Sequence, residues 1–260
     1  YAEPFTAEAD TDRIKDVPLY ESIITNEFVN YVPSNKQKRK KKFVSLCRRY
    51  QPERIAAFMF IKANNLDKDG YVSMPSHSVC APHDDLYSLA LSMQQGTGST
   101  HKIMSLPFVK KVLDTPVTDH SYILDTEPNL ESERTIYGET DQGYGFDTNQ
   151  NSLTKFYDES YLSLIQEADM YQERNSYMIT EKTIRPIMCQ HMFVMIGPPH
   201  LLASLRKKGY RTFGDLWDES YDEIEDDTTR LTKSLNIFKD IVEGDIESLY
   251  EQARSIIVHN

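Results

Sequence analysis

The stretch KFVSLCRRYQPERIAAFMFIKANNLDKDGYVSM, residues Lys42–Met74, decides the fold. Its first part, Phe43–Cys47, is a short apolar run that indicates a buried strand. Pro52 follows at a position typical of a first helical turn, and the apolar residues up to Ala63 fill one helix face. Gly70–Met74 is typical of a second strand. A strand, a helix and a strand within about 30 residues form the unit of a parallel, doubly wound sheet.

The same alternation is predicted after residue 160. The first predicted elements are a strand (Tyr161–Ile165), a polar loop (Glu167–Tyr177) and a helix that has Thr180 as its N-cap and ends near Gln190. A strand (His191–Ile196), a helix (His200–Lys208) that ends at Gly209 and a short strand (Tyr210–Phe213) come next. The last predicted elements are an acidic loop (Asp215–Asp227) and a helical tail (Thr228–Ile257) with a break at Gly244. Strands that alternate with helices favour an α/β domain with parallel strands.

Residues 75–150 interrupt this pattern. They are rich in Ser, Thr, Asp, Gly and His, and only Asp84–Gln95 has a helix-like pattern. This composition predicts an irregular insertion. The expected organisation is an N-terminal extension with a basic linker over residues 1–41, followed by one Rossmann-like α/β domain over residues 42–260.

Charge and composition narrow the classes of function. The net charge of −11 argues against general nucleic-acid binding. The exception is the basic run Lys36–Lys42, which is either a solvated linker or a patch that binds a polyanion such as phosphate or nucleic acid. No apolar run approaches the roughly 20 residues that cross a bilayer. Cys47, Cys80 and Cys189 are far apart and have no metal-binding spacing. Because their odd number does not support a disulfide scaffold, we expect reduced thiols and a cytoplasmic location.

The first candidate site is Thr180-Glu181-Lys182, between a predicted strand and a helix. Ligands of open α/β sheets bind beside such loops, and a helix N-terminus offers free N–H groups to a diphosphate. Lys182 would add a positive charge, and the Glu181 carboxylate can accept hydrogen bonds from two vicinal hydroxyls. A capped surface helix with an ordinary Glu–Lys pair is the alternative.

The second candidate is the group Arg48, Arg49 and Arg54, around the start of the first helix. Guanidinium groups bind phosphate oxygens bidentately, so a cluster at the end of a strand is a plausible diphosphate clamp. Cations at a helix start oppose the helix dipole, which favours a bound anion over a basic surface.

Two acidic segments give weaker signals. Asp67-Lys68-Asp69-Gly70 resembles part of a calcium-binding loop, but Ser76 stands where the final Glu is needed, so a tight turn is the better interpretation. The stretch Asp218–Glu223 is either a solvated loop or a set of carboxylates that binds a metal or a sugar. We predict no metal site in either segment.

Three stretches together resemble the GT-B glycosyltransferases of the fucosyltransferase-like and exostosin-like type, whose relatives occur in bacterial surface-polysaccharide loci and in tailed phages. They are Lys42–Met74, Tyr161–Ile187 (YLSLIQEADMYQERNSYMITEKTIRPI) and Phe193–Asp222 (FVMIGPPHLLASLRKKGYRTFGDLWDESYD). The resemblance covers about a third of the chain. It implies a Rossmann-like parallel sheet that corresponds to the donor-binding half of such an enzyme.

The resemblance also implies a function and its residues. The expected ligand is a nucleoside-diphosphate sugar, with no further cofactor. Arg48 and Arg54 would meet the diphosphate, Lys182 the phosphates and Glu181 the hydroxyls, beside the N-cap Thr180. Glu167 falls where the family often has Glu-Thr, although Ala168 replaces the Thr here.

One half of the GT-B cleft is not evident in this sequence. The acceptor, whether polysaccharide, protein or nucleic acid, would be bound by the 75–150 insertion, a partner chain or a missing N-terminal region. No general base is apparent among the scattered histidines. The alternative is an inactive structural or interaction protein that keeps the fold, for example a phage particle component in the host cytoplasm or virion.

Overall fold

The computed structural model describes residues 39–47, 50–74, 77–78, 81–114, 151–167, 170 and 179–260. The strands are β1 (Lys41–Leu46), β2 (Gly70–Ser73), β3 (His77–Ser78), β4 (Ala81–Asp85), β5 (Ser160–Gln166) and β6 (Met192–Ile196). The α-helices are α1 (Pro52–Ala63), α2 (Leu86–Gln94), α3 (Gly98–Met104), α4 (Pro107–Leu113), α5 (Asn151–Asp158), α6 (Glu181–Met188), α7 (Leu201–Lys207), α8 (Asp227–Glu243) and α9 (Ile246–His259). Short 3₁₀ turns occupy Asp67–Asp69 and Ser220–Glu223.

Four parallel strands form the central sheet, in the order β2-β1-β5-β6. From β1 the chain crosses to β2 on one side, and it later returns on the other side of β1 as β5. The strand order therefore reverses between β1 and β5, which makes this position the topological switch point of the sheet. The predicted α/β class with a Rossmann-like parallel sheet is confirmed.

Both faces of the sheet are covered, as two neighbouring residues of β1 show. Successive side chains of a strand point to opposite faces of the sheet. Phe43 is fully buried and meets Phe238 of α8 edge to face, with ring centroids 4.8 Å apart. On the other face Val44 belongs to a separate apolar cluster with Phe156, Tyr157 and Cys189. Helices on both faces are the expected environment of an all-parallel sheet.

A glycine at the start of β2 allows this packing. Gly70 is paired with Phe43 across the sheet, and a Cβ built on Gly70 would lie 2.2 Å from Cζ of the Phe43 ring. The backbone of β2 can approach the aromatic ring only without a side chain at this position. The preceding turn, Asp67–Asp69, is the predicted tight turn.

The insertion is more ordered than its composition predicts. Helices α2, α3 and α4 occupy Leu86–Leu113, and Ile103 and Met104 of α3 are fully buried. Phe108 of α4 packs edge to face against Phe60 of α1, with centroids 5.1 Å apart. The helix-like stretch predicted at Asp84–Gln95 is confirmed as α2. The prediction of an irregular segment was wrong for α3 and α4, because short helices gain their stability from burial against the domain. Residues 115–150 lie outside the described ranges.

The predicted strand Tyr210–Phe213 was also wrong. The backbone N–H of Arg211 donates to Oδ1 of Asn260 (2.7 Å), and that of Phe213 donates to Oε1 of Glu219 (2.8 Å). These N–H groups therefore donate to side-chain oxygens and not to the main-chain oxygens of a neighbouring strand. The helical tail and its break at Gly244 are confirmed. In the described ranges, no helix has the length and apolarity to span a membrane.

Candidate functional site

Side chains connect the carboxyl ends of β1 and β5 at the switch point. Arg54, in the first turn of α1, donates from Nη2 to the main-chain oxygen of Glu167, at 3.0 Å. One residue earlier on β5, Gln166 donates from Nε2 to Oγ of Ser45, at 2.9 Å. All four residues are buried. We call Ser45, Arg54, Gln166 and Glu167 the strand junction.

The strand junction has unused polar atoms. Within the described part of the chain, Nε of Arg54 and Oε1 of Gln166 are buried without a hydrogen-bond partner. Buried polar atoms without partners are uncommon, since each one costs free energy relative to water. One donor and one acceptor therefore remain at the point where open α/β sheets bind ligands.

The Glu167 carboxylate holds the start of α6 against the end of β5. Oε2 accepts from the Thr180 hydroxyl (2.6 Å), and Oε1 accepts from the Thr180 N–H (3.1 Å) and the Thr183 hydroxyl (2.5 Å). Glu167 is 1% exposed and Thr183 is fully buried. A buried carboxylate is stable when donors surround it in this way. Glu167 therefore fixes where the N-terminus of α6 points.

Glu181 and Lys182 lie at the rim of this arrangement. Their side chains are 24% and 30% exposed, and Nζ of Lys182 lies 2.9 Å from Oε1 of Glu181. Burial alone would raise the pKa of the Glu181 carboxyl, but the charges of Lys182 and Arg185 and the Lys182 hydrogen bond lower that pKa overall. The carboxylate is therefore ionised at neutral pH and remains partly accessible to solvent.

The structure brings most of the predicted site residues together. Arg54, Glu167 and Thr180 are linked through hydrogen bonds, and Glu181 and Lys182 continue the same helix start. Thr180 is the N-cap as predicted, since its hydroxyl accepts from the Lys182 N–H at 3.3 Å. Arg48 lies outside the described residues.

Sequence reasoning missed three members of this arrangement, namely Ser45, Gln166 and Thr183. Ser45 and Gln166 are polar residues inside runs that otherwise form buried strands. A polar side chain within such a run is a usable signal, because a buried polar group must find a partner. Thr183 stands three residues after the N-cap, where a side chain can reach back toward the helix start.

The acidic stretch Asp218–Glu223 has a structural role in part. Asp222 is 4% exposed, and its carboxylate accepts from the N–H groups of Leu202 (2.8 Å) and Ala203 (2.9 Å) at the start of α7. Burial raises the pKa of Asp222, although these two hydrogen bonds oppose the shift. The solvated-loop interpretation was therefore wrong for Asp222. In the part of the chain that is described, no group of three or more His, Cys, Asp or Glu side chains is arranged to hold a metal ion.

Comparison with known proteins does not add to this site. No family model, no curated protein and no solved structure matches the chain.

Proposed function

We propose that this protein binds a nucleoside-diphosphate sugar at the carboxyl edge of its parallel sheet. The observation that carries the proposal is the switch point between β1 and β5, where the Arg54 guanidinium reaches the main chain of Glu167 at 3.0 Å. The N-terminus of α6 begins beside this contact, so a cation and a helix start face the same region.

Each residue has a distinct part in the proposal. Lys182 and the N-terminus of α6 meet the phosphates, where the lysine charge and the positive end of the helix dipole are both favourable. Glu181, ionised and 24% exposed, accepts hydrogen bonds from two hydroxyls of the ribose or the sugar. Glu167 and Thr180 hold the helix start in position. Arg54, with Arg48 by its place in the sequence, supplies positive charge on the β1 side.

In the proposal, the reaction transfers the sugar from the nucleotide to a polysaccharide, protein or nucleic-acid acceptor. The acceptor would be held by the insertion or by a partner chain. The second candidate is a structural or interaction protein that keeps the fold without turnover. One observation favours it, since the described hydrogen bonds of the Glu167 carboxylate are internal and serve stability without any ligand.

A thermal-shift panel of UDP-, GDP-, ADP- and CMP-linked sugars tests binding. A ligand at about 100 times its Kd stabilises the native state by about 2.7 kcal/mol. This should raise Tm by at least about 5 °C in a chain of this size. No shift with any member of the panel would contradict the proposal and favour the structural candidate.

Site variants then test the assignment of roles. Glu181→Ala and Lys182→Ala should each weaken binding about tenfold or more, because each removes a charge-assisted contact. Glu251→Ala is the matched control, since Glu251 also pairs with a cation (Arg254, 3.3 Å) but lies on α9 with a 65% exposed side chain. Equal affinity in Glu181→Ala and the control would place hydroxyl recognition elsewhere. Release of nucleotide in the presence of candidate acceptors separates turnover from binding alone.

A further inference from the structure

A cavity of about 370 Å³ lies at the opposite edge of the sheet from the strand junction. It is bordered by the amino ends of β1 and β5 and by the turn between α8 and α9. The lining residues are Arg39, Lys40, Lys41, Lys42, Lys68, Asp69, Tyr161, Gly244, Asp245, Ile246 and Glu247. We call it the amino-edge cavity. Five of these residues are cations, although the protein as a whole has a net charge of −11.

Two of the four lysines of this cavity bond to neutral acceptors. Nζ of Lys41 donates to the main-chain oxygen of Lys68, and Nζ of Lys42 donates to that of Val242, each at 2.6 Å. A carbonyl oxygen accepts a hydrogen bond but leaves the formal charge of the ammonium in place. Only Lys40 has a carboxylate partner in the described part of the chain, Glu159 at 2.6 Å. Each ammonium has three donors, so Lys41 and Lys42 can still bond to a ligand.

Arg39 adds a fixed positive charge. Its guanidinium donates to the main-chain oxygens of Tyr157 (3.0 Å) and Ser160 and to the Tyr250 hydroxyl (2.7 Å), and it lies 4.6 Å from the centroid of the Tyr250 ring. These partners are also neutral. The Arg39 charge also affects His191, since burial and this charge together lower the pKa of His191 to about 3. Arg39 therefore contributes to the local potential without needing to move.

Three carboxylates also line the amino-edge cavity. Asp245 is the N-cap of α9, and its Oδ1 accepts from the N–H of Ser248 at 3.1 Å. Asp69 and Glu247 are the other two. The first turn of α9 begins at Ile246, and N–H groups of a first turn have no partner inside their own helix. Cations, helix donors and a few carboxylates suit a ligand that has both anionic groups and hydroxyl or amine donors.

We propose that the amino-edge cavity is a second binding site, which takes a small molecule with two or more phosphate groups. The volume of the cavity exceeds that of a single phosphate, and Lys41, Lys42 and Lys68 surround it from two separate segments of the chain. Clustered charge at a concave surface raises the local concentration of counter-ions. The C-terminal part of the basic run, Arg39–Lys42, is thus a binding surface as well as the start of β1.

Inorganic pyrophosphate is the probe for this site, at 0.15 M salt. In the wild-type protein, pyrophosphate should protect Lys41, Lys42 and Lys68 from an amine-reactive reagent, as measured by peptide mass spectrometry, and should leave Lys110 and Lys208 unprotected. The double variant Lys41→Gln/Lys68→Gln should bind pyrophosphate about tenfold more weakly by calorimetry, because two nearby charges are lost. Lys110→Gln/Lys208→Gln is the matched control, since both of its lysines are exposed and lie on or next to other helices.

Three results would overturn the inference. The first is equal weakening in the control variant, which would indicate general attraction of anions. The second is loss of pyrophosphate binding in Lys182→Ala with retention in Lys41→Gln/Lys68→Gln, which would place the anion at the carboxyl edge. The third is absence of protection in the wild-type protein, which does not depend on how any variant folds. The nucleotide-sugar panel addresses the other edge, so the two proposals can fail independently.

Discussion

Replacement of Glu167 by alanine should destabilise the protein strongly, whether or not a ligand is bound. The carboxylate accepts from the Thr180 N–H, the Thr180 hydroxyl and the Thr183 hydroxyl, and all three residues are buried. In Glu167→Ala these donors lose their acceptor, and the start of α6 is no longer held against β5.

The expected loss follows from the donors. A buried donor left without an acceptor costs about 1–3 kcal/mol. The two threonine hydroxyls can rotate toward other acceptors, whereas the Thr180 N–H is fixed by the backbone. Together with the volume lost from a buried position, this gives a decrease of about 3–5 kcal/mol in the free energy of unfolding. Glu167→Gln keeps the shape and one oxygen, so its loss should be about 1 kcal/mol.

Urea unfolding measures this difference directly. The single tryptophan, Trp217, stacks on Phe213 at 4.8 Å and provides a fluorescence signal for loss of packing. Glu251→Ala, at an exposed position, is the control and should change the free energy of unfolding by less than about 0.5 kcal/mol. The reasoning is refuted if Glu167→Ala costs less than about 1 kcal/mol, or if the Gln and Ala variants are equally stable.

Two further variants test packing and capping. Gly70→Ala places a Cβ 2.2 Å from the Phe43 ring and should lower stability by about 1–3 kcal/mol in thermal unfolding; an unchanged Tm would show that β2 can move away from β1. Asp226 caps α8, and hydrogen bonds from the Thr228 hydroxyl and from the hydroxyl and N–H of Thr229 lower its pKa to about 2. Because the folded pKa lies below the ordinary value of 3.8, the cap stabilises the protein fully above that pH and loses its effect as the pH falls through about 2. Asp226→Ala should therefore cost about 1 kcal/mol at pH 7, and its deficit relative to wild type should shrink between pH 4 and pH 2 in urea titrations; a deficit independent of pH would contradict the assignment.

The elements that the sequence predicted well are those decided by local chemistry. The strand His191–Ile196 corresponds to β6, because a run of apolar residues has few stable places other than the centre of a sheet. Gly209 ends α7 with a positive φ of 92°, a conformation that glycine adopts without strain. Both signals lie within a few residues of the feature they specify.

Some predictions were wrong where side chains distant in the sequence accept hydrogen bonds from backbone N–H groups. Tyr210–Phe213 was predicted as a strand, but the N–H groups of Arg211 and Phe213 donate to the side chains of Asn260 and Glu219. Similarly, Asp222 is part of an acidic run, and only the position of α7 shows that its carboxylate is a helix cap. Hydrophobic periodicity contains no information about such partners.

Several residues of the candidate site lie close together, as the sequence predicted, but the bonds between them were not predicted. Helix starts that follow parallel strands can be located from sequence, and Arg54 and Thr180 were found in this way. The sequence could not show that the Glu167 carboxylate binds Thr180 and Thr183, because this depends on how closely α6 approaches β5. Ser45 and Gln166 were missed for the same reason, since their contact joins two strands far apart in the chain.

The two edges of the sheet therefore differ in the hydrogen-bond partners of their charged side chains. At the carboxyl edge, among the described residues, Arg54 bonds to the main chain and the Glu167 carboxylate bonds to Thr180 and Thr183. The partly exposed Glu181 and Lys182 pair with each other. At the amino edge, Arg39, Lys41 and Lys42 donate to main-chain oxygens, so their charges are not balanced by a carboxylate partner in the described part of the chain. A parallel sheet positions its ligands at the carboxyl edge through helix starts, which need few formal charges. At the amino edge the start of α9 also borders the cavity, but most of the positive charge there comes from five lysine and arginine side chains.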